Sequence, residues 1–139
     1  MLKANSFEPW ALNFKLKNML QESFFQFTAP ETDGNTSKTS ITLNAGHQIF
    51  EGHFPGQPVV PGVCMMQMVK EVLENIVGTK TKLLKAGDMK FLAILNPQVN
   101  STADMQVTFT TADNGTLKVD ALIQHEASTF FKFKGVFKK

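Results

Sequence analysis

One histidine of this chain lies on a stiff loop that leads directly into an apolar segment. His53 is followed by Pro55 and Pro58, and Pro61-Gly62 precede a run of hydrophobic residues. An imidazole titrates near neutral pH, so His53 is suited to take up a proton and return it. The first amide groups of a helix have no partner within the helix and can stabilise negative charge on an oxygen. The sequence therefore predicts a general base beside an oxyanion site.

A helix over residues 61–77 is the element that must position this site. From Val63 to Val69 the only polar residue is Gln67, which predicts that other structure surrounds the start of the helix. Gly78 is expected to end it. Helical spacing relates the apolar residues Val69, Val72, Leu73, Ile76 and Val77, and the polar residues Lys70, Glu71, Glu74 and Asn75 fill the other face.

The other apolar segments predict strands. Residues 12–27 indicate a strand, or a short helix that leads into one, and two turn signals indicate hairpins at Asp33-Gly34-Asn35 and Asp113-Asn114-Gly115. Alternating or continuous apolar residues predict further strands over 91–95, 105–109, 117–123 and 129–137. One long buried helix among five to six antiparallel strands predicts an α+β fold, with a curved sheet wrapped around a central helix.

Length and composition indicate a small cytoplasmic domain. The 139 residues contain no repeat and no linker, which predicts a single domain over 1–139. Cys64 is the one cysteine, so no internal disulfide can form and a reducing compartment is expected. The sequence shows neither a signal peptide nor a membrane span. A net charge of +2 and the lack of arginine argue against nucleic-acid binding.

The segment from His53 to Val63 carries a family resemblance. Its sequence, His-Phe-Pro-Gly-Gln-Pro-Val-Val-Pro-Gly-Val, resembles the active-site motif of the 3-hydroxyacyl-acyl-carrier-protein dehydratases, which have the hot-dog fold. Lys90-Phe91, in the strand that the resemblance implies after the helix, matches as well. The resemblance implies elimination of water from 3-hydroxyacyl thioesters to give trans-2-enoyl thioesters, in fatty-acid or related lipid and polyketide synthesis.

The resemblance also implies roles for individual residues. His53 is the base that removes the proton next to the thioester carbonyl, and the backbone amide of Gly62 receives the negative charge on the thioester oxygen. A glycine at this place leaves the approach free of a side chain. The catalytic residues are then His53, Gly62 and Gln67, and the substrate-binding residues are Phe54, Pro61, Val63, Met66 and Phe91.

Position 67 departs from the family pattern, in which a Glu or Asp fourteen residues after the histidine supplies a proton to the leaving hydroxyl. An amide can hold a hydroxyl group but is not a general acid. Three outcomes follow: His53 shuttles both protons through a water, another acid enters, or the site binds thioesters without dehydrating them. Glu71, one turn beyond Gln67, is the nearest carboxylate, but its neighbours Lys70 and Glu74 predict a solvated position.

The expected partners follow from the same resemblance. They are thioesters of acyl carrier protein or of coenzyme A, and a second copy in a homodimer or a multiple of dimers, with a site shared between two chains. No metal or organic cofactor is expected, because elimination needs only a base, an acid and oxyanion donors. A thioesterase is a further alternative, since the hot-dog fold also hosts thioester hydrolysis.

Several conspicuous side chains are expected to have structural roles only. His47 and His125 are interpreted as ordinary surface or hydrogen-bonded residues. Cys64 is interpreted as a buried thiol. The neighbouring methionines Met65, Met66 and Met68 could form the wall of a ligand site, but core packing is the default interpretation, and only Met66 is assigned to substrate binding.

Overall fold

Seven strands, one long helix and one short helix occupy the part of the chain that the computed structural model describes, residues 23–52 and 59–139. The strands before the long helix have three, three and eight residues, and those after it have nine to eleven. In chain order the elements are β1 (Phe25–Phe27), β2 (Glu31–Asp33), β3 (Thr36–Leu43), α1 (Ile49–Gly52), α2 (Gly62–Val77), β4 (Lys82–Phe91), β5 (Thr102–Thr111), β6 (Leu117–His125) and β7 (Ser128–Lys138).

The strands form one antiparallel sheet in the order β1-β3-β5-β6-β7-β4, with β2 paired to β3. The predicted α+β architecture, a curved sheet with one long helix, is confirmed. The sheet has seven strands in the described residues rather than five or six, because the three-residue strands β1 and β2 are separate from each other. The sheet places β4, the strand that follows the helix, at its end.

One face of the sheet and one face of α2 form the core. Buried residues alternate with exposed ones along β3, β5 and β6, as expected when one side of a sheet is covered. The helix contributes Met68, Val69, Val72 and Leu73, each at most 1% exposed. Five phenylalanines of the sheet and of the segment before it are equally buried, namely Phe24, Phe25, Phe131, Phe133 and Phe137.

The predicted ends of these elements are largely confirmed. Gly34 and Gly115 have positive φ angles in the two predicted hairpins, and Gly78 has the left-handed conformation (φ 78°) directly after the helix. The early part of the predicted segment over 12–27 lies outside the described residues, while Phe25–Phe27 is a strand as expected.

The strand predicted over 91–95 is wrong. The strand is Lys82–Phe91, and residues 92–95 are irregular, with Ile94 70% exposed. Strand β4 shows no apolar alternation because nearly all of its residues are exposed, and two register shifts against β7 interrupt its pairing. Its sequence therefore lacks the periodicity from which a strand is predicted.

A buried carboxylate ties the end of α2 to the chain that leads into β4. Glu74, 7% exposed, accepts hydrogen bonds from Lys70 Nζ at 2.8 Å and from the Thr81 backbone N–H at 2.7 Å. Burial alone raises the pKa of Glu74, but the hydrogen bonds from Lys70 and Thr81 outweigh it, and the pKa lies below its ordinary value near 4.5. The ionised carboxylate therefore stabilises the folded state.

We expect Glu74→Gln to lower the free energy of unfolding by about 2 kcal/mol at pH 7, because charge-assisted hydrogen bonds are lost. This contribution is fully present above the unfolded pKa and disappears as pH falls through the lowered folded pKa. Urea unfolding at pH 7 and pH 3 should thus show a gap between wild type and variant that closes in acid. A gap of equal size at both pH values would contradict the assignment. Lys70→Met, which removes the cation and its hydrogen bond but leaves both bonds from Thr81, should cost less.

Candidate active site

The chain after β4 brings the end of that strand to the start of α2. Beyond Phe91, the chain turns back along the segment that precedes the helix, where the Val60 N–H donates to the Leu95 carbonyl oxygen at 2.9 Å. Leu92 N–H donates to the Phe130 carbonyl oxygen, also at 2.9 Å, which holds the exit from β4 against β7. These two bonds place Phe91 beside Gly62.

The Phe91 ring lies against the first residue of the helix. A Cβ atom on Gly62 would be 2.7 Å from two carbons of that ring, so no larger residue fits without a shift of the ring. The ring stacks on Phe131 with centroids 5.2 Å apart, and Phe91 is still 52% exposed. The contact between Gly62 and Phe91 was not evident from the sequence. Because Gly62 has no side chain, the Phe91 ring can lie against the start of the helix.

The first two amide groups of α2 are open with respect to the part of the chain that the structure describes. Pro61 is the N-cap residue and provides no side-chain hydrogen bond, and its carbonyl oxygen accepts from the N–H groups of Cys64 and Met65 at 3.0 and 3.1 Å. Among the described residues, nothing accepts a hydrogen bond from the N–H of Gly62 or Val63. Two adjacent donors at the positive end of a helix can stabilise an oxyanion.

Gln67 is joined to a carboxylate on the next turn of the helix. Its Nε2 donates to Oε2 of Glu71 at 2.9 Å. The predicted solvated position of Glu71 is wrong, because Glu71 is 1% exposed. The charged neighbours of Glu71 in the sequence predicted exposure to solvent. Glu74, one of these neighbours, is itself buried and hydrogen-bonded to Lys70 and Thr81. The carboxylates of Glu71 and Glu74 therefore both lie on a covered part of the helix.

Helical spacing relates this pair to the open amide groups. Val63, Gln67 and Glu71 are four residues apart and stand on one side of α2, with Val63 46% exposed, Gln67 partly buried and Glu71 covered. The side chains become progressively more enclosed from the amino end inward. Met66, predicted to contact substrate, is partly buried and packs against the core.

Two predicted site residues, His53 and Phe54, lie outside the described residues, and the structure neither places them nor excludes their predicted roles. Of the others, the structure places Phe91 against Gly62, which lies between Pro61 and Val63 in the chain, and it joins Gln67 to Glu71. Glu71 is the carboxylate nearest to Gln67 in the sequence, and its spacing of four residues is the signal that favours this contact.

The remaining titratable side chains agree with structural roles. His47 is buried, its Nδ1 accepts from the Ile49 N–H at 3.0 Å, and burial lowers its pKa. Cys64, Met65 and Met68 are buried, as predicted. In the described part of the chain no group of three His, Cys, Asp or Glu side chains could hold a metal ion, and no helix is long and apolar enough to cross a membrane.

Comparison with known proteins identifies the family. Residues 28–132 match the ApeI-like family of ApeI dehydratases. This chain belongs to that family. It is also 30% identical, over 110 residues, to the 3-hydroxyacyl-[acyl-carrier-protein] dehydratase FabZ of Rickettsia bellii, an alignment that covers 70% of this chain and 76% of the relative. A shorter stretch of 68 residues, 46% of this chain and 43% of the relative, is 37% identical to the FabZ of Roseobacter denitrificans.

Solved structures confirm the hot-dog fold that the family resemblance implied. The dehydratase heterocomplex ApeI:P from Xenorhabdus doucetiae has a chain that superposes with a TM-score of 0.64 at 18% identity, covering 81% of this ApeI-like chain and 96% of its own. Cj0977, a sigma28-regulated virulence protein from Campylobacter jejuni, gives a TM-score of 0.64 at 11% identity, with coverage of 86% and 87%. At these identities the likeness concerns the fold.

Proposed function

We propose that this chain eliminates water from 3-hydroxyacyl thioesters, carried on acyl carrier protein or coenzyme A, to give trans-2-enoyl thioesters in fatty-acid or related lipid and polyketide synthesis. The observation that carries the proposal is the pair of open amide groups at Gly62 and Val63, bordered by Phe91. Membership in a dehydratase family supports this chemistry, and the name of the FabZ relative supports the acyl carrier protein as the carrier.

The residues divide the reaction between them. His53 takes the proton from the carbon next to the thioester carbonyl. The amide groups of Gly62 and Val63 receive the thioester oxygen as it gains negative charge. Gln67 holds the leaving hydroxyl, and Pro61, Val63, Met66, Phe54 and Phe91 border the acyl chain. Neither a metal nor an organic cofactor takes part.

A second copy of the chain completes the site in this proposal. Within the described residues β4 pairs with β7 and with no other strand, and it exposes Leu84, Met89 and Phe91. An exposed edge strand with apolar side chains invites pairing with another strand. Two copies joined edge to edge, as the family resemblance implies, place His53 of one chain beside Gln67 of the other. A single copy would leave such a site open on one side.

Turnover of a defined substrate tests the proposal. Wild-type protein incubated with a 3-hydroxyacyl thioester of acyl carrier protein, or of coenzyme A, should produce the conjugated enoyl thioester, followed by its ultraviolet absorbance. His53→Ala should lower kcat by about 10²- to 10⁴-fold, the usual contribution of a general base. His125→Ala, at a residue outside the proposed site, is the matched control and should leave kcat unchanged.

The substitution of Gln67 for the family's acid favours a second candidate, a protein that binds acyl thioesters without converting them. Saturable binding of the thioester with no enoyl product would decide for it. Release of free thiol, detected with a thiol-reactive dye, would instead indicate a thioesterase. Equal activity in wild type and His53→Ala would overturn the proposed role of the histidine.

A further inference from the structure

We propose that Glu71 is the carboxylate of this active site and that it acts as a positioning residue, orienting the Gln67 amide toward the leaving hydroxyl; this inference rests on the proposed dehydratase function. Glu71 is 1% exposed, and its Oε2 accepts from Gln67 Nε2 at 2.9 Å. A carboxylate is thus present one turn away from the position where the family carries its acid.

The chemistry of the two groups fixes the orientation of the amide. The Gln67 Nε2 donates to Oε2 of Glu71, so the amide turns its nitrogen toward the carboxyl group. Its carbonyl oxygen and its second N–H then remain for a ligand. The oxygen can accept the hydrogen of a substrate hydroxyl, and the N–H can donate to the same oxygen atom. Without Glu71 the amide could take either of two orientations.

The neighbouring carboxylate of Glu74 shows what a structural role looks like on this helix. Glu74 is held by Lys70 and by both the backbone and the hydroxyl of Thr81, all of which belong to the scaffold at the end of α2. Glu71 accepts a hydrogen bond from the side chain at the family's acid position. This hydrogen bond joins Glu71 to the residue that holds the leaving hydroxyl in the proposed reaction.

The reaction balances without a second acid. His53 removes the proton from the carbon next to the thioester carbonyl, and the electron pair of that C–H bond forms the new double bond. The C–O bond to the hydroxyl breaks with its electron pair on oxygen. The imidazolium of His53 returns its proton to this oxygen through a water, and the hydroxyl leaves as water. Gln67 holds the oxygen throughout, and Glu71 takes no part in the proton transfers.

Paired variants test the role of Glu71 against a purely structural one. Glu71→Gln keeps the size of the side chain but removes the fixed orientation, so kcat should fall by about 10²-fold. The KM and the melting temperature should stay close to those of wild type. Glu74→Gln, the matched control three residues further along, should lower the melting temperature and leave kcat within threefold of wild type.

The outcomes separate this inference from the function on which it rests. If wild type converts substrate and Glu71→Gln does so within threefold of the same kcat, the inference fails and the proposed function stands. If wild type gives no enoyl product, the proposed function fails and the inference with it. A melting temperature for Glu71→Gln as low as that of Glu74→Gln, with a matching loss of active protein, would assign Glu71 to the scaffold.

Discussion

Gln67→Glu alone should lower the free energy of unfolding by about 2 kcal/mol at pH 7, and the addition of Glu71→Gln should return most of that loss. The single variant places two carboxylates where Nε2 and Oε2 are now 2.9 Å apart, on a part of the helix that covers Glu71. Like charges in such a place repel, and one of them must bind a proton or the pair must separate. The double variant exchanges the two side chains and keeps one carboxylate and one amide.

We expect kcat to depend on a carboxylate and an amide being present together at positions 67 and 71. The exchange moves the carboxylate one turn toward the amino end, to the position that the family uses for its acid, so kcat should be at least that of wild type. Glu71→Gln alone lacks any carboxylate in the pair and should be about 10²-fold slower. Urea unfolding at pH 7 and pH 4 checks the energetics, since protonation should relieve the repulsion in Gln67→Glu. A double variant as inactive as Glu71→Gln would contradict the view that the pair is the functional unit.

Gly135→Ala should cost about 3 kcal/mol of folding free energy and separate the proposed dimer. A Cβ atom at this position would lie 2.6 Å from the backbone carbonyl oxygen of Lys85 and would overlap the Phe133 ring. Gly135 pairs with Ala86 of β4, between the two register shifts of that strand. The β4 backbone therefore cannot move away from a new Cβ atom without losing its pairing with β7. The substitution therefore dislodges the edge strand.

The matched control is Gly87→Ala, in the same strand pair. A Cβ atom there would meet the Lys134 carbonyl oxygen at 3.5 Å, an ordinary contact, so stability should change little. Light scattering should show twice the chain mass for wild type and Gly87→Ala and a loss of that species for Gly135→Ala. Thermal unfolding of all three gives the stability difference. Equal melting temperatures for the two alanine variants would show that β4 is not constrained as described.

The sequence was informative where periodicity and turn chemistry act locally. The spacing of Val69, Val72 and Val77 identified α2, and Gly34 and Gly115 marked hairpins, because the conformations that these residues favour are properties of a few neighbours. The family resemblance placed Lys90-Phe91 in a strand after the helix, but apolar periodicity did not predict strand β4, because β4 is an exposed edge whose pairing with β7 makes it a strand. Long-range pairing of this kind leaves little trace in a single sequence.

The candidate site was predictable in its residue types but not in its contacts. The motif before the helix named Gly62 and Gln67, and the spacing of four made Glu71 a neighbour. The burial of Glu71 depends on the structure packed around the helix, and the charges of neighbouring residues do not indicate it. Lys70 and Glu74 predicted a solvated position, yet Glu74 is itself buried and hydrogen-bonded to Lys70 and Thr81. The contact of Phe91 with Gly62 likewise depends on the path of the chain after β4.

Phe91 is the last residue of the edge strand β4, and its ring also contacts Gly62 at the amino end of α2. If a second chain pairs with that edge, the Phe91 ring couples dimer association to thioester binding. Thermodynamic linkage then works in both directions. If a bound ligand that orders the ring strengthens dimer association by some factor, the dimer binds that ligand more tightly than the monomer does by the same factor.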